Sequence, residues 1–337
     1  MNETKLMTIG DVCATISDTY RAKADEVTLI NTSDVLEGKV LNHERVPNKE
    51  LKGQFKKTFK KNDILYSEIR PQNKRFAFVD FDPVDYIAST KLMVLRADTS
   101  KVLPMYLYYY LKSAPVIAEL QMLAETRSGT FPQITFTELS NLTIPVPSIA
   151  EQEAIVATVK CIEDKTYCNT KINDNLQQQA AMIFREWFIT NPETEMWPLV
   201  TLDSLTSLIS RGITPKYNDD STQVVLNQKC IRDHFIDISL ARKHSPKAIN
   251  EKWLKYGDLL INSTGEGTLG RTAQVWFVPE NMTVDSHVTI VRPKNQQLIF
   301  YIGLWGLAHE REIEALHTGS TGQTELPRDR VKALEFF

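Results

Sequence analysis

The chain has 337 residues, 42% of them apolar, and a formal net charge of −3. That length predicts two or three domains, each large enough to bury its own core, and the near-neutral balance excludes a uniformly basic nucleic-acid binder. With no apolar run approaching about 18 residues and no signal-like start, the sequence predicts a soluble, cytoplasmic protein without membrane contact.

From the N-terminus, Thr8-Ile9-Gly10-Asp11-Val12 is a short amphipathic stretch. Val27–Ile30 and Phe76–Val79 read as strands, Met105–Leu123 as a helix and Leu142–Val146 as a closing strand. Across 49–61, Lys49, Lys52, Lys56, Lys57, Lys60 and Lys61 meet only Glu50. Such a run either approaches phosphates or is simply solvated. The connection Glu68–Arg75 carries three cations, Arg70, Lys74 and Arg75. Tyr106, Tyr108, Tyr109 and Tyr110 offer rings for base stacking, but their helical setting beside Leu107 and Leu111 favours packing. Arg127-Ser128-Gly129-Thr130 is a polar, glycine-punctuated turn. Its hydroxyls and amides can bond phosphate or base edges, or the turn only feeds the closing strand.

Residues 148–190 contain neither glycine nor proline, whereas Pro145 and Pro147 precede them and Pro192 follows. Ser148 with Glu151 has capping-box spacing, so one long helix is expected, about 60 Å at 1.5 Å per residue. Alternating steps of four and three place Ile155, Val159, Ile162, Thr166, Asn169, Asn173, Leu176, Ala180, Ile183 and Trp187 on one stripe. This is a coiled-coil-type seam with a polar centre, and its apolar members require a packing partner.

Beyond the helix the sequence repeats itself. Thr201-Leu202-Asp203-Ser204-Leu205 echoes Thr8–Val12, and Tyr256-Gly257-Asp258-Leu259-Leu260 echoes Lys61-Asn62-Asp63-Ile64-Leu65. The triplet Val331, Leu334, Phe336 echoes Leu139, Leu142, Ile144. Three anchors at nearly one offset predict two copies of one domain, a device suited to a target with two parts. In the second copy Gln223–Leu226, Thr272–Val278 and His287–Val291 read as strands and Phe300–Leu316 as a helix, so each copy is α+β. Gly212-Ile213-Thr214-Pro215-Lys216 is a turn or a ligand-side loop. Gly265-Glu266-Gly267-Thr268-Leu269-Gly270 matches a dinucleotide fingerprint formally, yet the β-branched and aromatic stretch after it predicts a second strand, hence a hairpin loop. His317-Thr318-Gly319-Ser320-Thr321-Gly322-Gln323 is a second copy of the polar turn.

Catalytic signatures are missing from the sequence. It has no phosphate-binding Gly-x-x-x-x-Gly-Lys motif, no His-Glu-x-x-His zinc motif and no Asn/Asp-Pro-Pro-aromatic methyltransferase motif. Cys13, Cys161, Cys168 and Cys230 form no CxxC pair, which argues against a metal site or a disulfide framework.

Gly129–Pro147, Ala150-Glu151-Gln152-Glu153-Ala154-Ile155, Lys171-Ile172-Asn173-Asp174-Asn175-Leu176 and Phe184-Arg185-Glu186-Trp187-Phe188 together resemble the central conserved region of the specificity (S) subunit of type I restriction–modification enzymes. Gly257–Arg271 and Gly319–Gln323 are similar to loop motifs of that family's target-recognition domains. The resemblance implies an α+β fold with two target-recognition domains, 1–147 and 197–337, joined by a conserved spacer helix, 148–190. It implies a non-catalytic reader of split double-stranded DNA sequences, holding no metal or cofactor itself. The partners implied are methyltransferase (M) subunits, which use S-adenosylmethionine to methylate adenine, and restriction (R) subunits, which use ATP and Mg. The DNA-facing residues expected from the charge pattern and the resemblance together are Lys56, Lys57, Lys60, Lys61, Arg70, Lys74, Arg75, Arg127, Ser128 and Thr130 in the first domain. In the second they are Arg211, Thr214, Lys216, Thr264, Glu266, Thr268, Arg271, Ser320 and Gln323. The family also carries a second conserved helix, antiparallel to the first, after the second domain. This sequence reaches Phe337 where that helix is expected to begin. Either the sequence or its gene stops short of that helix, or another chain, such as a second S-type chain, supplies it as the partner for Ile155, Val159, Ile162, Leu176, Ala180, Ile183 and Trp187; the alternative role is an assembly scaffold that pairs with another S-type chain or M subunit and binds DNA weakly alone.

Overall fold

The structure, a computed structural model, describes residues 4–49, 53–127, 132–245, 248–319 and 324–336. Contacts divide the chain into two units, Met1–Cys168 and Asn169–Phe337, each mixing helix and sheet. No helix among the described residues is long and apolar enough to cross a membrane.

In the first unit, β1 (Lys5–Thr8) leads through the one-turn helix α1 (Ile9–Val12) into β2 (Cys13–Ile16). The Thr8 hydroxyl accepts from the Asp11 amide at 3.2 Å while the Asp11 carboxylate accepts from the Thr8 amide at 2.9 Å, a reciprocal cap. A four-stranded sheet orders β2, β5 (Leu92–Ala97), β3 (Ile64–Ser67) and β4 (Phe76–Phe78), all antiparallel. Ile64 and Tyr66 on β3 point into one apolar cluster with Ile9, Leu107 and Leu139, and Leu65 points into the other with Ile30 and Val94. This sheet is covered on both faces, which is why its strands are apolar runs rather than alternating ones. Emptying one such position by Leu95→Ala removes about 2–5 kcal/mol.

The second unit repeats the plan. Here β6 (Thr206–Arg211), β9 (Val288–Pro293), β7 (Leu259–Asn262) and β8 (Thr272–Gln274) adopt the same order. Leu259 and Ile261 enter one cluster with Leu202, Trp305 and Phe336, and Leu260 enters the other with Ala273 and Ile290. The three echoes are one spatial unit in each copy. The Ile9 amide donates to the Leu142 carbonyl and the Leu202 amide to the Leu334 carbonyl, both at 2.8 Å, so the opening and closing anchors dock on each other.

Beneath each hairpin lies the same ion pair. Arg96 Nε and Nη2 reach the two oxygens of Asp63 at 2.8 and 2.7 Å, and Arg292 reaches Asp258 at 2.8 and 2.8 Å. Each carboxylate also accepts a backbone amide, from Lys60 and Lys255 respectively, at 2.8 Å. These forks satisfy a buried charge from every side.

The connecting helix α2 runs Ile149–Phe184 and continues through a wide turn, Arg185–Ile189. The Ser148 and Glu151 cap forms as expected, with the Ser148 amide donating to the Glu151 carboxylate at 3.0 Å. Gln152 fixes the helix start within the first unit. It is fully buried, accepting from the Leu103 amide and donating to the carbonyls of Lys101 and Pro147. Phe184, 3% exposed, fixes the other end among Phe188 and Tyr301. Of the seam, Ile155, Ile162, Leu176, Ile183 and Trp187 are exposed, while Val159 and Ala180 are half-buried.

Three expected elements are shorter or divided. The stretch expected as one helix over 105–123 is two, Pro104–Leu111 and Ala114–Arg127, because Pro115 lacks the amide an uninterrupted helix needs and belongs in a new first turn. Likewise 300–316 breaks at His309, whose ring stacks on Trp305 at 4.6 Å, between Leu298–Ala308 and Glu310–Ala315. The strand expected over 272–278 ends at Gln274, opposite Leu259; beyond it Trp276 turns out and stacks on Phe300 at 5.4 Å. The four tyrosines pack as expected: the hydroxyl of Tyr106 donates to the Pro145 carbonyl and that of Tyr109 to Glu163, both at 2.8 Å.

Candidate nucleic-acid interface

The strand registers bring four loops to one end of each sheet. In the first unit the end of β2 (Ile16 opposite Val94), the end of β3 (Ser67 opposite Leu92) and the start of β4 (Phe76 opposite Tyr66) coincide. The connection 68–75 therefore lies beside Lys91, which precedes β5. The segment after residue 131 joins it, with the Ile134 amide donating to the Glu68 carbonyl at 2.8 Å and the Arg70 amide to the Pro132 carbonyl at 3.1 Å. The second unit is built alike: Arg211 pairs with Thr289 and Asn262 with Val288, and the Leu326 amide donates to the Ser263 carbonyl at 2.8 Å.

The two loop sets differ chemically. In the first unit Arg70 and Lys74 take left-handed backbone, with φ of 43° and 51°. Lys74 pairs with Glu37 at 3.0 Å, and Arg75 Nη1 donates to the carbonyls of Ser33 and Val35 at 3.0 and 3.3 Å. Lys91 reaches Glu68 at 3.7 Å. In the second unit the hairpin joins β7 and β8 without any helix, as the strand after it predicted. Gly265 and Gly267 hold φ of 92° and 73°, and nothing within 4 Å faces a side chain at Gly267, so the backbone there is open to approach. Arg271 Nη2 donates to the Gly267 carbonyl at 2.7 Å, and the Thr268 hydroxyl to the Thr264 carbonyl at 3.1 Å. Glu266 is exposed at the tip. Arg211 is held by Glu325 and by the Leu326 carbonyl, the latter at 2.9 Å.

Several expected site residues fall elsewhere. Lys60 and Lys61 precede β3, where Ile64 pairs with Leu95, and so lie at the opposite end of the sheet from the loops. Lys57 is half-buried, its ammonium donating to the carbonyls of Thr90 and Leu92 at 3.0 and 2.8 Å. Burial lowers its pKa, and its charge braces the fold instead of facing outward. Lys56 remains exposed on its strand. Gly212 is a packing residue, since a Cβ there would stand 1.9 Å from the Val284 carbonyl oxygen. Thr214 and Lys216 continue past it, the Lys216 carbonyl accepting from Ser245 at 2.7 Å. Ser128, Thr130, Ser320 and Gln323, and the side chain of Arg127, lie outside the described residues.

The structure also adds residues that the sequence reading missed. Lys91 and His287 occupy equivalent places ahead of the last sheet strand, each with its amide held by the residue two before, Ser89 at 3.3 Å and Asp285 at 2.9 Å. Burial raises the Asp285 pKa, opposed by the His287 amide and ring. Gln228 opens a short helix capped by Asn227, the counterpart of the one capped by Asn31. Repeat alignment extended past the three anchors would have found this pair, because Asn31 and Asn227 are separated by nearly the anchor offset.

Among the described residues no group of three or more His, Cys, Asp or Glu is placed to hold a metal. The two units share one topology, and each presents polar loops at the same sheet end. The chain belongs to the type I restriction modification DNA specificity domain family, whose model matches residues 1–178. It is 43% identical over 190 residues to the type I restriction enzyme HindI specificity subunit of Haemophilus influenzae, covering 56% of this chain and 41% of that one. With the MjaIX specificity subunit of Methanocaldococcus jannaschii it shares 24% over 212 residues, 55% of this chain and 47% of the other. The matched stretches thus span less than half the length of these curated relatives. In fold it is similar to the type I restriction–modification S subunit from M. genitalium, with a TM-score of 0.57 at 15% identity, covering 99% of this chain and 84% of that one.

Proposed function

We propose that the chain is the sequence-specific DNA-binding subunit of a type I restriction–modification complex, and that each unit reads one half of a split duplex target through its loop-bearing sheet end. The observation that carries this is the convergence of equivalent loops at the same end of both sheets, cationic in one and glycine-rich in the other. Phosphates would meet Arg70, Lys74 and Lys91, while open backbone and amide groups would approach base edges in the second unit. The domains proposed are 1–147 and 197–337, with 148–190 as spacer. The chain itself is non-catalytic; methyltransferase and restriction subunits bring S-adenosylmethionine, ATP and Mg. The exposed seam of Ile162, Leu176, Ile183 and Trp187 packs against a helix of another S-type segment or subunit.

Titration of duplex DNA with the purified protein tests this. Affinity should fall steeply as salt rises, because phosphate contacts release counterions. Binding that is weak and independent of salt would favour an assembly scaffold. Deleting four residues around Asn169 should change the accepted gap between half-sites and leave each half-site intact.

A further inference from the structure

The second unit contains a three-residue relay outside the expected site residues. Thr264 Oγ1 lies 3.2 Å from Gln228 Oε1 and 2.8 Å from His287 Nδ1. A hydroxyl has one proton. Donated to Gln228 Oε1, it leaves Thr264 Oγ1 to accept from His287 Nδ1–H, and in the tautomer with its proton on Nδ1 the ring carries a free lone pair on Nε2. Gln228 in turn keeps both amide N–H groups, which have no partner among the described residues. His287 is exposed and Gln228 half-buried, so the outward face of the relay pairs a donor with an acceptor.

Resting on the DNA-reading role proposed above, we infer that Gln228 and His287, set by Thr264, read an adenine edge in the major groove of the second unit's half-site. Adenine presents an N7 acceptor beside an N6–H donor, the complement of this face, whereas guanine presents two acceptors, O6 and N7, and would set one against the His287 lone pair. The geometry around the relay supports its being fixed in place. Asn262 Nδ2 donates to the Gln228 carbonyl at 3.1 Å, and the Gln228 carboxamide lies within 3.4 Å of where a Cβ on Gly265 would stand. The counterparts in the first unit are Thr32, Ile69 and Lys91, which cannot form this relay, so the two half-sites are read by different chemistry.

The test is selection from a random duplex pool by the full chain, followed by binding of single-base variants. The wild type should select adenine at one position of one half-site. Gln228→Glu replaces donors with acceptors and should lower the adenine preference about ten- to hundred-fold, shifting it toward cytosine, whose N4–H donates. His287→Ala, at an exposed position, should reduce the same preference while tryptophan fluorescence shows an unchanged unfolding transition. Both variants should leave the other half-site as it was. If the wild type is selective and both variants rank the bases at every position as it does, this assignment fails while the DNA-reading role stands. If the wild type selects no sequence, both fail.

Discussion

The hairpins Ile64–Phe78 and Leu259–Gln274 share one frame and carry opposite tips. Below the tip both have the same strand order, the same two-sided apolar alternation and the same arginine fork on a buried aspartate. Above it, one uses Arg70 and Lys74 in left-handed conformations, and the other uses glycines that need no such strain. The frame tolerates this because the residues that differ point outward: Arg70, Gln72 and Lys74 are exposed, as are Glu266 and Gly267, while buried Pro71 and Leu269 anchor the two tips. Under the proposed DNA-reading role such a division is an advantage, since new tips can be tried without refolding the module.

The strongest way to break the comparison is to remove the carboxylate under each hairpin. Asp258→Asn leaves Arg292, whose side chain is 10% exposed, without its counter-ion, and should cost about 3–5 kcal/mol. Asp63→Asn leaves Arg96, a third exposed, partly hydrated, and should cost about 1–3 kcal/mol. All five tryptophans lie at or beyond Trp187, so their fluorescence in a denaturant titration follows the second unit for Asp258→Asn, and backbone hydrogen exchange of the first unit follows the loss for Asp63→Asn. Equal losses in the two variants would mean that the Glu251 and Trp253 carbonyls, which also hold Arg292, replace the missing charge.

A smaller effect separates the tips themselves. Arg70→Ala with Lys74→Ala should flatten the logarithmic dependence of DNA affinity on salt by about one unit for each phosphate left without its cation, weakening all sequences alike. Anisotropy titrations over a salt series read this directly. Substituting Thr264 by Val should do the reverse, changing base preference at constant salt slope. A loss of preference in the cationic double variant would overturn the division of labour between phosphate and base contacts.

Much of the frame was legible because it rests on local rules. The cap at Ser148, the glycine-free helix and the repeated Asp-Ile-Leu and Asp-Leu-Leu runs each correspond to a feature of the fold. The site was less legible. A run such as Lys56, Lys57, Lys60 and Lys61 reads as one basic face, yet a strand end and a turn send its members to different ends of the sheet and spend Lys57 on two carbonyls. Gln228, Thr264 and His287 come from three loops, and only strand register brings them together. Helix breaks at Ser113 and His309 escaped the apolar pattern because that pattern continues through them.

The smallest difference between the units is in their response to pH. Among the described residues, only the second unit sets an imidazole, His234, 3.2 Å from a carboxylate, Glu310, which also accepts from the Thr272 amide at 2.5 Å. The Glu310 carboxylate beside it raises the His234 pKa against the opposing effect of burial. The Glu310 pKa is lowered: burial opposes this, and the neighbouring imidazole together with the bonds from Thr272 overcomes it. A raised histidine stabilises the fold below its ordinary value, near 6.5, and loses that contribution as pH rises through the folded value. A lowered glutamate contributes above its ordinary value, 4.5, and loses it as pH falls. The pair is therefore most stabilising in the mildly acidic window between them. Raising pH beyond that window should lower the tryptophan-monitored stability by no more than about 1 kcal/mol, because both groups keep some solvent contact. Glu310→Gln should erase the dependence; a slope that survives in this variant would assign the titration to another group.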